Sequence, residues 1–257
     1  MIGRINGIRL GYEVWGASGP CIVLIHGFGM DRTIWRDLAS TFLDRWRVIL
    51  PDLRGHGQSE APGGVYEMPF LADDLVRLLD HLQINQAVVC GHSMGGYVAL
   101  AFAAQYPQRL SGLGLITSRA DADNEEKKQS RFSMIEDVRE KGSIIVAESL
   151  APRLSHNPDV VQSAFDLIKK TSPQGLTGSL EGMARRPDRR DLLAEIDVPA
   201  LVVAGEEDRI IPLDEAVEMA SLLQQGELLT IPEAGHMPML ESKAVLAEGL
   251  IRLLNRS

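Results

Sequence analysis

Cysteine occurs only twice, at Cys21 and Cys90, each within an apolar run. Two thiols in such settings supply neither a disulfide framework nor the Cys/His pairs of a zinc site, so both are expected to be buried core residues. None of the six histidines has HExxH-like spacing, and no metal or cofactor is expected. Positive charge is in deficit: 26 Lys and Arg against 35 Asp and Glu leave a net charge of −9. Phosphate binding needs a dominant basic surface, which argues against nucleic acid or an anionic membrane as the main partner and favours a small molecule. Long apolar runs are also missing, since CIVLI and ALVVA fall far short of the roughly 20 residues that span a bilayer. The opening MIGRINGIRL has an early arginine and no apolar h-region, so a soluble, unexported, cytoplasmic protein is expected. Nothing in the sequence speaks to oligomeric state.

What is present reads as one α/β domain with an insert. Asn6-Gly7 between GRI and IRLGYEV is a strong hairpin signal. Short β-branched runs follow (CIVLIH, RVILPD, AVVCGH, LSGLGLITS), separated by helix-period segments such as TIWRDLASTFL and PFLADDLVRLLDHL. That alternation predicts a parallel sheet with helices on its faces. From 119 to 195 the chain is charged and helical without a convincing strand; VPALVVAGEED then restores the strand rhythm. The expected organisation is a core of residues 1–118 and 196–257 split by a helical insert at 119–195. No internal repeat or low-complexity segment stands out.

In parallel α/β sheets, ligands gather outside the carboxyl ends of the strands, where helix N-termini point into a shared crevice. Those ends carry His26-Gly27-Phe28-Gly29, the Asp52 loop, Ser93, Glu206 to Asp208, and His236. A serine, an acid and a histidine in that order are the parts of nucleophilic acyl transfer: the imidazole takes the hydroxyl proton, and the carboxylate fixes its tautomer. In VVCGHSMGG, residues 88–96, Gly91 and Gly95 sit two before and two after Ser93. A tight strand-to-helix elbow would leave no room there for side chains. The following helix aims its positive end at a developing oxyanion. The backbone N–H groups of Met94 and of Phe28 are the expected oxyanion donors, each typically contributing about 2.7–4 kcal/mol to the transition state.

The blocks HGFG, DLRGHGQS, GHSMGG, GEEDRIIP and EAGHMPMLE, in this order, resemble the α/β-hydrolase superfamily across essentially the whole chain. Within it the chain is similar to capped serine esterases, 3-oxoadipate enol-lactonases and related carbon–carbon bond hydrolases. The resemblance implies an α/β-hydrolase fold: an eight-stranded, mostly parallel sheet with helices on both faces and a helical cap between strands six and seven. It makes Ser93 the nucleophile, Asp208 the orienting acid rather than Glu206 or Glu207, and His236 the base. Haloalkane dehalogenases and epoxide hydrolases of this fold carry aspartate at the nucleophile position, so Ser93 argues against both. The implied sheet order sets strand three beside strand five and offsets Cys21 from Cys90 by four residues, too far for a disulfide. The implied activity is cofactor-free hydrolysis of a small carboxylic ester or lactone. The same three residues also serve carbon–carbon bond hydrolysis of meta-cleavage products, and some proteins of this fold are non-catalytic small-ligand receptors.

His26 opens the oxyanion turn and reads either as a hydrogen-bonded structural residue or as a substrate contact. His92 shapes the pocket or packs behind it, and His56 is expected to brace a loop where Asp52 and Arg54 make local polar contacts. Phe132, Met134, Phe165 and Met183 are expected to pack the cap, with Phe132 and Met183 named as substrate-pocket candidates. The NEEKKQSR run reads as a solvated helix face. ARRPDRR, residues 184–190, leaves two readings open: a grip on a substrate carboxylate, or surface arginines paired with Asp188 and Asp191.

Overall fold

Asn6 and Gly7 both have positive φ, 47° and 83°, as a two-residue type I′ turn requires. They join β1 (Ile2–Ile5) to β2 (Ile8–Trp15) with Ile5 opposite Ile8. The computed structural model describes residues 1–16 and 19–257. Beyond the hairpin come β3 (Cys21–Ile25), β4 (Arg47–Pro51), β5 (Ala87–His92), β6 (Leu110–Ile116), β7 (Ala200–Gly205) and β8 (Gly226–Ile231). They form one eight-stranded sheet in the order β1-β2-β4-β3-β5-β6-β7-β8. β2 runs antiparallel to both neighbours, while every pair from β4 across to β8 is parallel. The expected mostly parallel sheet of eight strands is therefore the observed one.

Every residue of β3, β5 and β7 is buried, as strands covered on both faces must be. The helices of the core are α1 (Arg36–Ala39), α2 (Met68–His81) and α3 (Met94–Gln105) before the insert. Between β6 and β7 lie α4 (Glu125–Lys141), α5 (Ile144–Leu154), α6 (Pro158–Lys170), α7 (Pro173–Ala184) and α8 (Arg190–Leu193). After β7 come α9 (Leu213–Leu222), α10 (Pro238–Glu241) and α11 (Lys243–Arg256). α3 is buried at every position from Met94 to Ala103, because it packs against α2 on one side and against β5 and β6 on the other. A helix that is apolar all round has no other stable place.

One element differs from its sequence pattern. TIWRDLASTFL forms a 3-10 turn at Arg32–Trp35 and a single helical turn at α1 instead of a continuous helix. The hydroxyls of Ser40 and Thr41 donate back to the carbonyls of Asp37 and Leu38, both at 2.7 Å, and such local bonds compete with helix propagation. Trp35, Leu38 and Phe42 are nonetheless fully buried. The apolar spacing was met, but by tighter turns.

Both cysteines are free and buried. Cys90 lies opposite Leu24 in the β3–β5 ladder, so its offset from Cys21 is three residues rather than four, still roughly 10 Å along the strand. Burial pushes the Cys21 thiol up to about 12. Among the described residues, no helix is long and apolar enough to cross a membrane.

Candidate active site

β5 ends at His92, and the chain reverses into α3 through Ser93 at φ 52°, ψ −116°. Such backbone angles cost a non-glycine residue about 1–3 kcal/mol and persist only where the surroundings impose them. Here the Ser93 N–H donates to Ile116 O at 2.9 Å, and Ser93 O accepts from Gly96 N–H at 2.9 Å and from the Ser118 hydroxyl at 2.8 Å. A Cβ on Gly91 would stand 2.0 Å from Gly95 O, and one on Gly95 2.6 Å from Ile25 O. Those contacts explain why the serine is flanked by residues without side chains.

His236 follows β8, and its Nδ1 donates to Asp208 Oδ2 at 2.8 Å with both side chains no more than 2 % exposed. The other Asp208 oxygen, Oδ1, accepts from the N–H groups of Ile210 (2.7 Å) and Ile211 (3.1 Å). Glu206 and Glu207 are exposed. The backbone of His236 is gripped from three sides: its N–H donates to Leu154 O at 2.8 Å, and its carbonyl accepts from His92 Nε2 at 2.8 Å and the Thr117 hydroxyl at 3.0 Å. Glu241 accepts from the N–H groups of Gly235 and Met237, both at 3.0 Å.

Thr117 has φ 44°, a conformation that is strained for a β-branched side chain. With Ser118 it ties two distant turns to the end of β6, one carrying Ser93 and the other His236. Sequence patterning gave no signal for Thr117 or Ser118 beyond their place at a strand end. Glu241 stood inside a quoted motif without a role.

The HGFG turn is fixed by two buried histidines. His26 Nδ1 donates to Gly27 O (2.8 Å) and its Nε2 accepts from Leu53 N–H (2.9 Å). His56 Nδ1 donates to Arg54 O (3.0 Å) and its Nε2 accepts from Gly29 N–H (3.2 Å). His56 thus braces the turn itself, while Arg54 pairs with Asp74 and Asp52 with Arg32. The neighbouring hydrogen bonds leave the N–H groups of Phe28 and Met94 without a protein acceptor among the described residues.

Ser93, His236, His92 and Met183 line one cavity of about 100 Å³, together with Tyr97, Arg131, Leu150 and others. No hydrogen bond joins the Ser93 hydroxyl to the His236 imidazole among the described residues; catalytic pairs are often long before substrate binds. Two sequence candidates are not brought there. His26 is fully buried with both ring nitrogens committed to backbone groups, and Phe132 lies 41 % exposed on α4. Of ARRPDRR, Arg190 pairs with Asp188 at 2.5 Å, and Arg186 is buried against Asp123 at 2.9 Å. Sequence reading missed Arg131, placing it in a solvated run.

Burial holds three of these imidazoles neutral, pushing His26 down to about 4, His56 down to about 3, and His92 well below its ordinary value. Below pH 6.5 the unfolded chain takes up protons that the folded chain refuses, so stability must fall as pH drops from 6.5 towards 4. Each imidazole costs roughly 1.4 kcal/mol per pH unit in that window. Urea unfolding at pH 7.5, 6.5 and 5.5 should show a loss of several kcal/mol that sets in before the carboxylates titrate. A flat profile across that range would contradict neutral buried imidazoles.

A family model for the alpha/beta hydrolase fold matches residues 20–243. The chain belongs to the α/β-hydrolase fold family. Within it, this α/β hydrolase is 29% identical over 256 residues to 3-oxoadipate enol-lactonase 2 of Acinetobacter baylyi, covering 97% of this chain and 94% of that one. Its structure is similar to that of a thermophilic esterase from Thermogutta terrifontis with malate bound (TM-score 0.95, 38% identity, 99% and 97% of the two chains). It is also similar to the enol-lactonase of Burkholderia xenovorans LB400 (TM-score 0.92, 28% identity, 99% and 100% covered). These likenesses are to esterases and enol-lactonases of the same fold.

Proposed function

We propose that the chain hydrolyses small carboxylic esters or lactones through an acyl-enzyme on Ser93. The observation that carries this reading is the buried Asp208–His236 pair facing the cavity of the Ser93 elbow. His236 Nε2 removes the hydroxyl proton while Ser93 Oγ attacks the substrate carbonyl. The Phe28 and Met94 N–H groups receive the oxyanion. The carbon–oxygen bond breaks, and the alcohol leaves with the proton from His236. Water, deprotonated by the same imidazole, then attacks the acyl carbon and frees Ser93 and the acid. The likeness to esterases and enol-lactonases supports this reading. Residues 119–195 act in it as a cap over a core formed by 1–118 and 196–257; α4, α5 and α7 supply Arg131, Leu150 and Met183 to the cavity.

The test is a panel of p-nitrophenyl esters from acetate to decanoate, with mass analysis of the quenched enzyme. Short and medium chains should turn over, and the peptide containing Ser93 should gain the acyl mass. If esters are refused while a dienoic diketone is cleaved, the activity is carbon–carbon bond hydrolysis. Binding without turnover of either would make the protein a receptor.

A further inference from the structure

Gly29 closes the HGFG turn at φ 73°, and both polar groups of its backbone are held from elsewhere in the chain. Its N–H donates to His56 Nε2 at 3.2 Å. Its carbonyl accepts from the Thr171 hydroxyl at 2.8 Å and has no other donor among the described residues. Thr171 belongs to the insert, at the junction of α6 and α7.

Gly29 and Thr171 are both buried, so a carbonyl stripped of its donor there would carry the full cost of its desolvation. Thr171 is itself fixed by the insert. Its N–H donates to Ile168 O at 3.1 Å, and its carbonyl accepts from the buried Ser143 hydroxyl ahead of α5. Ile168 presses on the same turn, since a Cβ on Gly29 would stand 3.1 Å from its Cγ1. The insert also backs the loop that carries His56: a Cβ on Gly175 of α7 would meet Gly55 O at 2.0 Å.

The grip on Gly29 reaches Phe28 through the planarity of the peptide group. One plane holds Gly29 O, which Thr171 anchors, together with Met30 N–H, which donates to Gly27 O at 3.2 Å. Gly27 O in turn shares its plane with the Phe28 N–H. Two rigid planes and one hydrogen bond therefore link the Thr171 hydroxyl to an N–H that has no protein acceptor among the described residues and belongs to a residue lining the Ser93 cavity.

We propose that Thr171 is a positioning residue for the oxyanion donor: through its hydroxyl, the insert sets the direction of the Phe28 N–H. This rests on the ester or lactone reading above, in which that N–H receives the oxyanion. Such a donor stabilises the transition state only if it is aimed before charge develops, so a loosened turn costs rate and leaves the binding of uncharged substrate alone. The hydroxyl has a second acceptor in reach, Leu167 O at 3.1 Å, and can release Gly29 without becoming unpaired. Insert position and oxyanion competence are thereby coupled.

Thr171→Val keeps the β-branched shape and removes the donor. With p-nitrophenyl butyrate, kcat should fall at least about tenfold, as expected when a buried carbonyl loses its partner and an oxyanion donor its aim; KM should hold within about twofold. Butylboronic acid supplies a readout that a merely structural role would not move. Its tetrahedral adduct with Ser93 sets an oxygen against the Phe28 and Met94 N–H groups, so its Ki should rise by about the factor by which kcat falls. Thr171→Ser, which restores the hydroxyl, should recover most of both. A Thr171→Val protein with wild-type kcat overturns the assignment, as does one whose kcat falls while the boronate Ki holds, or whose loss lies in KM. Should Thr171→Val fail to fold, Thr171→Cys decides, because a thiol is a weak donor: both readouts should move in the same directions, and parity with wild type overturns the proposal. These outcomes leave the ester reading standing. Wild-type protein that neither cleaves p-nitrophenyl esters nor binds the boronate sinks that reading, and the proposal with it.

Discussion

Ser93→Ala is expected to lower kcat/KM on p-nitrophenyl butyrate by at least about 10⁴-fold, since losing an activated nucleophile typically costs that much or more. The change removes one oxygen that makes no hydrogen bond to another side chain among the described residues, and it leaves the Phe28 and Met94 N–H groups in place. Binding should therefore change little, with the loss falling on kcat and a residual rate over water surviving from the oxyanion donors. Stability should also stay close to wild type, because alanine inherits the same φ of 52°. Ser93→Gly supplies the contrast. Glycine adopts positive φ without strain, so that variant should be as inactive as the alanine variant yet more stable, by about 1 kcal/mol. Burst-titrated rates and urea unfolding of the three proteins check both halves. An alanine variant retaining more than about one part in a hundred of the activity would remove Ser93 from the mechanism.

The parts of the molecule that were legible in the sequence are those whose physical demand is local. Asn6-Gly7 specifies its turn because few residues accept positive φ twice, and the apolar runs specify buried parallel strands by composition alone. Gly91 and Gly95 were readable because an elbow at Ser93 tolerates nothing larger. What stayed hidden depends on contacts between elements far apart in the chain. Thr117 and Ser118 are ordinary residues until β6 sets them against the carbonyls of His236 and Ser93. Arg131 sits in a charged run whose pattern suits solvent all round, and only the position of Asp123 turns it inward. His26 and Phe132 failed as pocket candidates for the same reason in reverse. Proximity to HGFG says nothing about which way an imidazole points, and a bulky apolar residue on a polar helix can remain outside.

Asp208→Asn is expected to cost about 10⁴-fold in kcat, close to what tautomer reversal costs in a Ser-His-Asp site. Oδ1 sits between the N–H groups of Ile210 and Ile211 at 2.7 and 3.1 Å, while Oδ2 accepts from His236 Nδ1 at 2.8 Å. An asparagine keeps its oxygen where two backbone donors hold it, which forces the NH₂ towards His236. The imidazole must then accept at Nδ1 and carry its proton on Nε2, facing Ser93 with a donor where a lone pair is required. KM should move little, because Asp208 is buried behind the imidazole and away from the cavity wall. Nitrogen NMR of the His236 ring should report the proton on Nδ1 in the wild-type protein and on Nε2 in the variant. A loss smaller than about tenfold would mean that another carboxylate orients His236. The rivals beside it in the chain, Glu206 and Glu207, are exposed, Glu207 lying 3.4 Å from His156; they would have to swing inward past a residue already seated on two amides.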